Sequence, residues 1–140
     1  MAGAAGRATS HQVTQMPGAS FPVEVIGGMP VVAAPEEIDA ANAAGLRAAL
    51  LRAAAHRKGT LVVDMSRTQF CDSSGLNVLV RAHRRAQPEG GEVRLVTSAA
   101  AVLRILALAG IDRVIPRFTS LDEALAQTPD PATRPPLPAS

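Results

Sequence analysis

The pattern of hydrophobic and polar residues divides this chain into short apolar runs and longer segments whose apolar residues have helical spacing. Near the start, FPVEVI and MPVVAA are apolar, β-branched runs separated by Gly27 and Gly28. Two glycines fit the two-residue loop of a tight hairpin, because glycine adopts positive φ angles without strain. The pattern therefore predicts a β-hairpin over residues 21–34.

A repeat of Ala and Leu at helical spacing follows the hairpin. It predicts a first helix over roughly residues 40–57, with Asp39 as the N-terminal cap and Gly59 as the stop. The next run, TLVVDM, is apolar without interruption and is typical of a strand buried on both faces. We expect Asp64, at the end of this strand, to order the following loop by accepting a hydrogen bond, although a functional role stays open.

A second helix is predicted from Ser73 to Ala86. At about 100° per residue, its apolar side carries Leu76, Leu79, Val80, His83 and Ala86. Its polar side carries Asn77, Arg81, Arg84 and Arg85. We expect His83 to be a hydrogen-bonded core residue rather than a catalytic one. The polar side is either solvated or faces an acidic partner surface.

Strands and helices continue to alternate in the remainder of the chain. EVRLVT predicts a strand, SAAAVLRILALAG a helix closed by Gly110, RVIPRF a short strand, and SLDEALAQ a last helix capped by Ser120. The complete order is ββαβαβαβα. Such alternation indicates an α/β fold with a mixed sheet and helices packed on one face. We expect a single domain over residues 21–127.

Composition narrows the classes of partner. Hydrophobic residues make up 47% of the chain, but there is no Trp or Tyr and only three Phe, so rings that stack on nucleic-acid bases are scarce. The 14 basic and 12 acidic residues nearly cancel in charge, which argues against a nucleic-acid-binding surface.

The only cysteine, Cys71, allows no internal disulfide or metal cluster. Arg104 interrupts the longest apolar stretch, and no signal peptide is evident. These features predict a cytoplasmic protein with no cofactor, no metal, and neither a nucleic-acid nor a membrane partner.

The most specific stretch is FCDSSGLNVLVRAH, in which Asp72, Ser73, Ser74 and Gly75 stand at the start of the second helix. Asp and Ser cap helices by accepting hydrogen bonds from the unpaired N–H groups of the first turn. An exposed serine at this place would also bring a phosphate close to those N–H groups and to the positive end of the helix dipole. From the residues alone, the stretch is either a helix cap or a modification site, and the two roles can coexist.

The longer segment VVDMSRTQFCDSSGLNVLVRAHRRA resembles the signature of the STAS domain found in bacterial anti-sigma factor antagonists. That signature is a strand ending in Asp, a short loop, and Asp-Ser-Ser/Thr-Gly-Leu opening a helix. PEEIDAANA and LALAGIDRVIPRFTSLDEALA are similar to other parts of the same family, in the same order. The resemblance covers about residues 21–127 and implies a switch protein rather than an enzyme.

The resemblance also implies a mechanism and a set of partners. In such antagonists the unphosphorylated form binds an anti-sigma factor that is also a serine kinase, and this frees the sigma factor. The kinase phosphorylates the serine directly after the aspartate, which releases the partner, and a metal-dependent serine phosphatase reverses the modification. Phosphorylation is thereby assigned to Ser73. The residues assigned to partner binding are Glu37, Asp39, Asp72, Ser73, Ser74 and Gly75, to which the polar side of the second helix adds Asn77 and Arg81.

Rival interpretations make different demands on the sequence. A serine hydrolase would need a glycine at position 71 or 72, where Cys71 and Asp72 stand. A nucleotide-using enzyme would need a glycine-rich phosphate loop, and no such motif occurs. Cys71 is either a small buried hydrophobe or a reactive thiol beside the switch. The main alternative function is a STAS binding module of another assembly, such as a lipid-transport or stress-signalling complex, whose serine is never modified.

Residues 1–20 lack apolar periodicity, and TPDPATRPPLPAS at the other end is rich in proline. Both ends, 1–20 and 128–140, are predicted to be disordered tails. Limited proteolysis should therefore remove both without unfolding the domain, as measured by intact mass and by the circular dichroism of the trimmed protein. Protection of residues 1–15 would contradict this prediction.

Overall fold

A computed structural model describes residues 21–56 and 59–126. The predicted tails lie outside these residues. The strands are β1 (Val23–Ile26), β2 (Met29–Ala33), β3 (Glu37–Ile38), β4 (Leu61–Asp64), β5 (Phe70–Cys71), β6 (Val93–Val96) and β7 (Arg117–Phe118). The helices are α1 (Ala43–Ala54), α2 (Ser73–Ala86), α3 (Ala100–Leu108) and α4 (Leu121–Leu125).

The main sheet has five strands in the order β1-β2-β4-β6-β7. β1 and β2 are antiparallel, whereas β4, β6 and β7 extend the sheet in parallel from β2. Gly27 and Gly28 have φ angles of 58° and 85°, so the glycine pair forms the predicted hairpin loop. The predicted α/β fold with a mixed sheet is confirmed.

The helices cover both faces of the sheet, which corrects the expectation of one helical face. Side chains alternate between faces along a strand, so Leu61 and Val63 enter one core cluster and Val62 enters another. α1, α2 and α3 cover the first cluster, while Ala124 of α4 packs into the second. α4 is needed there because the parallel strands are apolar on both sides and the second side must also be buried.

The small β3–β5 sheet and the N-cap of α1 differ from the sequence-based expectation. β3 and β5 are two-residue strands that pair in parallel as a separate small sheet, and the predicted order lacked both. The N-cap of α1 is Asn42 rather than Asp39. Asp39 instead forms the turn before the helix: its carboxylate accepts a hydrogen bond from the Ala41 N–H at 2.9 Å, and its own N–H donates to Asn42 Oδ1 at 2.9 Å.

Arg94 of β6 connects the C-terminal helix α4 to the main sheet. Its guanidinium is buried, with Nε donating to Glu92 Oε2 at 2.8 Å. Nη1 donates to the carbonyls of Ala124 and Ala126, both at 2.9 Å. These charge-assisted bonds satisfy two carbonyls at the C-terminal end of α4, a helix too short to be stable without tertiary contacts.

His83 is a core residue, as expected. It is buried on the inner side of α2, where Nδ1 accepts a hydrogen bond from the Val93 N–H at 3.2 Å. Burial lowers the pKa of His83 below its ordinary value of 6.5, although the nearby Glu92 carboxylate acts in the opposite direction. The imidazole is therefore kept neutral in the folded chain.

This neutral histidine predicts how stability depends on pH. Because the pKa of His83 is lower in the folded chain than its unfolded value of 6.5, the unfolded chain binds more protons between those two values. The free energy of unfolding should thus be at its plateau above about pH 7 and fall as the pH drops through 6.5.

Urea unfolding at a series of pH values measures this effect. The His83→Gln variant should lose the slope in this window, because glutamine does not titrate. His56→Gln is the matched control, since His56 is exposed, and it should keep the wild-type slope. An unchanged slope in His83→Gln would contradict the assignment.

Candidate functional site

Asp72 organises the start of α2. Its Oδ1 accepts hydrogen bonds from the N–H groups of Ser74 at 2.9 Å and Gly75 at 3.3 Å, so the predicted helix cap is confirmed. The Asp72 N–H donates to the Ile38 carbonyl at 3.0 Å. Asp72 therefore caps α2 with its side chain and joins the helix to β3 with its backbone N–H.

Ser73 and Ser74 occupy different environments although they are neighbours. Ser73 is the first residue of α2 and is exposed, whereas Ser74 is half-buried and its N–H is bonded to Asp72. Among the residues that the structure describes, the Ser73 hydroxyl has no hydrogen-bond partner. Ser120 offers a contrast at the start of α4, because its hydroxyl accepts from the Glu123 N–H and serves as the cap. At α2 the aspartate takes that role and leaves the serine hydroxyl available.

Gly75 lies where α2 approaches β3 most closely. A Cβ atom at this position would stand 2.6 Å from Ile38 Cγ2 and 2.8 Å from Cys71 Sγ. Such separations are far below van der Waals contact, so only glycine fits. Gly75 is buried, and its lack of a side chain lets the turn of Asp72 and Ser73 lie against β3.

Cys71 is buried beneath this turn. Burial raises the pKa of its thiol from 9.0 to about 12, and the neighbouring Asp72 carboxylate adds to the rise. A reactive cysteine needs the thiolate form, which this environment suppresses. The interpretation as a small buried hydrophobe is confirmed.

The β3–β5 pair places two exposed side chains beside the serine. Glu37 is in register with Phe70, and Ile38 with Cys71. Ile38 and Cys71 point into the core, while Glu37 is exposed and Phe70 is 46% exposed. Sequence reasoning did not single out Phe70. The signal was the alternation itself: with Cys71 buried, the preceding residue of a strand must face outward.

The acidic residues of the site are held by short loops. Asp39 is half-buried in the turn before α1, directly after Ile38, whose carbonyl binds Asp72. At the end of β4, Asp64 Oδ1 accepts from the Ser66 N–H at 3.0 Å, which confirms its predicted role in ordering the loop.

The polar side of α2 forms one wall of a groove. Asn77, Arg81 and Arg85 line a hollow of about 230 Å³ between α1 and α2, and Arg47 of α1 lines it as well. Arg84 is exposed but is not among the lining residues. Arg47 was not predicted, because it lies on another helix and only the packing of α1 against α2 brings it close.

Residues 21–56 and 59–126 contain no group of His, Cys, Asp and Glu side chains that could hold a metal ion. No helix in these segments has the length and apolar character needed to cross a membrane.

Comparison with known proteins places this arrangement in a family. The sequence profile of the STAS domain matches residues 20–124. The chain belongs to the STAS domain family. No curated protein sequence matches it. An anti-sigma factor antagonist from Mycobacterium paratuberculosis is 32% identical, with a TM-score of 0.69 over 76% of this chain and 90% of that one.

Two further solved structures share the fold at lower identity. An anti-sigma-factor antagonist domain protein from Planctomyces limnophilus is 22% identical, with a TM-score of 0.68 over 75% of this chain and 93% of that one. The Bacillus cell-fate determinant SpoIIAA in its phosphorylated form is 19% identical, with a TM-score of 0.59 over 76% of this chain and 96% of that one.

The close contact at Gly75 predicts a strong effect of one added methyl group. Gly75→Ala should lower the free energy of unfolding by about 1 to 3 kcal/mol, because the overpacking exceeds the gain in helix propensity. Gly45→Ala in α1 is the matched control: its Cβ would meet Phe21 Cδ2 at an ordinary 3.4 Å. That variant should be neutral or more stable by up to about 1 kcal/mol. Urea unfolding compares the two, and equal stabilities would refute the packing argument.

Proposed function

We propose that this STAS domain is an anti-sigma factor antagonist that acts by partner switching in the cytoplasm. In this proposal the unphosphorylated form binds an anti-sigma factor with serine kinase activity and so frees the sigma factor. Phosphorylation of Ser73 releases the partner, and a metal-dependent serine phosphatase restores the binding form. The 32% identical anti-sigma factor antagonist supports the general role.

The environment of the Ser73 hydroxyl is the observation that favours Ser73 as the phosphorylation site. Its hydroxyl is exposed at the first position of α2 and has no hydrogen-bond partner in the described part of the chain, because Asp72 performs the capping. A kinase can therefore reach the hydroxyl without first breaking the helix cap. Ser74 is less suitable because it is half-buried and its N–H is bonded to Asp72.

The same cap explains why a phosphate would act on binding rather than on folding. A phosphate carries about −1.5 to −2 charges at neutral pH. The helix N-terminus would attract it, but the Asp72 carboxylate already accepts the N–H bonds of Ser74 and Gly75. The added charge thus meets a negative neighbour and remains at the surface. Burying it there against a partner without a counter-charge would cost several kcal/mol.

The surroundings of Ser73 suit a protein interface. Phe70 offers an exposed aromatic ring two positions before Asp72, with Glu37 beside it on β3. Aromatic side chains supply much of the binding energy of interfaces when water is excluded around them. A phosphate on Ser73 would keep water at the edge of this contact, so one modification would weaken the whole surface.

Variants at the two serines test the proposal. Each serine-kinase anti-sigma factor of the source genome would be purified and incubated separately with this chain and ATP. Ser73→Ala should bind the cognate kinase as the wild type does and remain unphosphorylated. Ser73→Asp should bind about 5- to 100-fold more weakly, because it buries an unpaired carboxylate.

Phosphopeptide mapping of residues 68–81 and titration of each variant against the kinase give the result. Ser74→Ala should still accept phosphate, and Ser98→Ala, at another exposed serine, is the control. Phosphate on Ser74, or full-strength binding by Ser73→Asp, would overturn the assignment. Absence of phosphorylation by every kinase would favour the STAS binding module whose serine is never modified.

A further inference from the structure

The groove between α1 and α2 begins at Asn77, one helical turn past Ser73, and has a charge of its own. Neither helix contains an acidic residue, and together they carry five arginines: Arg47, Arg52, Arg81, Arg84 and Arg85. The net charge of the whole chain is small, but these two helices carry a local excess of positive charge. None of the three arginines that line the groove forms an ion pair with another described residue.

The lining combines this charge with an apolar floor. Leu50, Val78 and Ala82 are the apolar residues that line the hollow, and Leu50 and Ala82 are buried. A second hollow of about 200 Å³ shares Leu50, Ala82 and Arg85 with the first and continues along the two helices past Leu51 and Ala54. The two hollows form one groove. Arg47 and Arg81 line the part near Asn77, and mostly apolar residues line the part toward the end of α1, together with Arg85 and Glu89.

We propose that this groove docks an acidic, leucine-bearing helical segment of a partner protein. Guanidinium groups pair with carboxylates in a directed, bidentate way, and leucine side chains fit the apolar half. The inference goes beyond the proposed function, since it requires no modification of Ser73.

Other ligand chemistries fit the groove less well. The lining residues of α1 and α2 lie inside the helices, where backbone N–H groups are used in the helix and cannot cradle a phosphate. No aromatic side chain lines either hollow, so a nucleotide base would find no ring to stack on. Both hollows are partly open to solvent, whereas small-molecule pockets bury most of the ligand surface.

A designed peptide tests the groove directly. The probe is a blocked helical peptide of about 14 residues, which spans about 20 Å, with Glu at helical spacing in its first half and Leu in its second. Amide chemical shifts of the full chain locate the peptide, and fluorescence polarisation of the labelled peptide gives its affinity. Shifts should concentrate in α1 and α2, and added salt should weaken binding.

Charge reversal provides the decisive comparison. Arg47→Glu/Arg81→Glu should weaken binding about tenfold or more, because attraction becomes repulsion on both walls. Arg104→Glu/Arg113→Glu changes the net charge equally at exposed positions outside the groove, and it should bind like the wild type. A peptide with Lys in place of each Glu should prefer the Arg47→Glu/Arg81→Glu variant to the wild type.

Several outcomes would overturn the inference. These are equal weakening by both double variants, equal binding of a scrambled peptide of the same composition, and shifts centred outside α1 and α2. A fourth is the absence of peptide binding while vesicles of phosphatidylglycerol and phosphatidylcholine retain the wild type and not the Arg47→Glu/Arg81→Glu variant. That last result would assign the groove to anionic lipid.

Discussion

The contact between the first turn of α2 and β3 is the constraint on which the site depends. Asp72 joins the two elements through its N–H bond to the Ile38 carbonyl, while its side chain caps the helix. Gly75 allows that approach, because any larger residue would collide with Ile38 and Cys71. The start of α2 is therefore rigid. The capping carboxylate and the exposed hydroxyl belong to adjacent residues, so the hydroxyl can be reached without moving the cap.

Charge on this domain is separated rather than balanced. Acidic residues cluster where loops meet the start of α2, at Glu37, Asp39 and Asp72, whereas α1 and α2 carry arginine and no acid along their lengths. A partner that approaches along α2 therefore meets a negative start of the helix and a positive C-terminal half. Such a pattern orients an encounter even when the net charge is small, because screening confines each patch to about one Debye length of 8 Å at physiological salt.

Local chemistry made much of the fold predictable, and long-range contacts account for the rest. Several elements could be predicted from signals within a few residues: the Gly27-Gly28 loop, the Asp72 and Ser120 caps, and the apolar run before Asp64. The two-residue strands β3 and β5 have no periodicity of their own and exist because Ile38 and Cys71 are buried together. The same limit applies to Arg47, which joins Arg81 only after α1 packs on α2. Strands that are apolar on both sides need a cover on each side, but only the packing of Ala124 with Val62 shows that α4 covers the second one.

The way α2 is anchored favours a switch that changes affinity without changing shape. Leu79 and His83 on its inner side are buried against the sheet, and Val93 donates a hydrogen bond to the His83 ring. Freeing the helix would expose such side chains at a cost of about 2 to 3 kcal/mol for each large apolar residue. Ser73 is exposed at the first position of α2, so a charge there does not lie on this buried face. If Ser73 is phosphorylated as proposed, the effect is therefore confined to whatever lies against the first turn, and the arginine groove farther along α2 keeps its geometry.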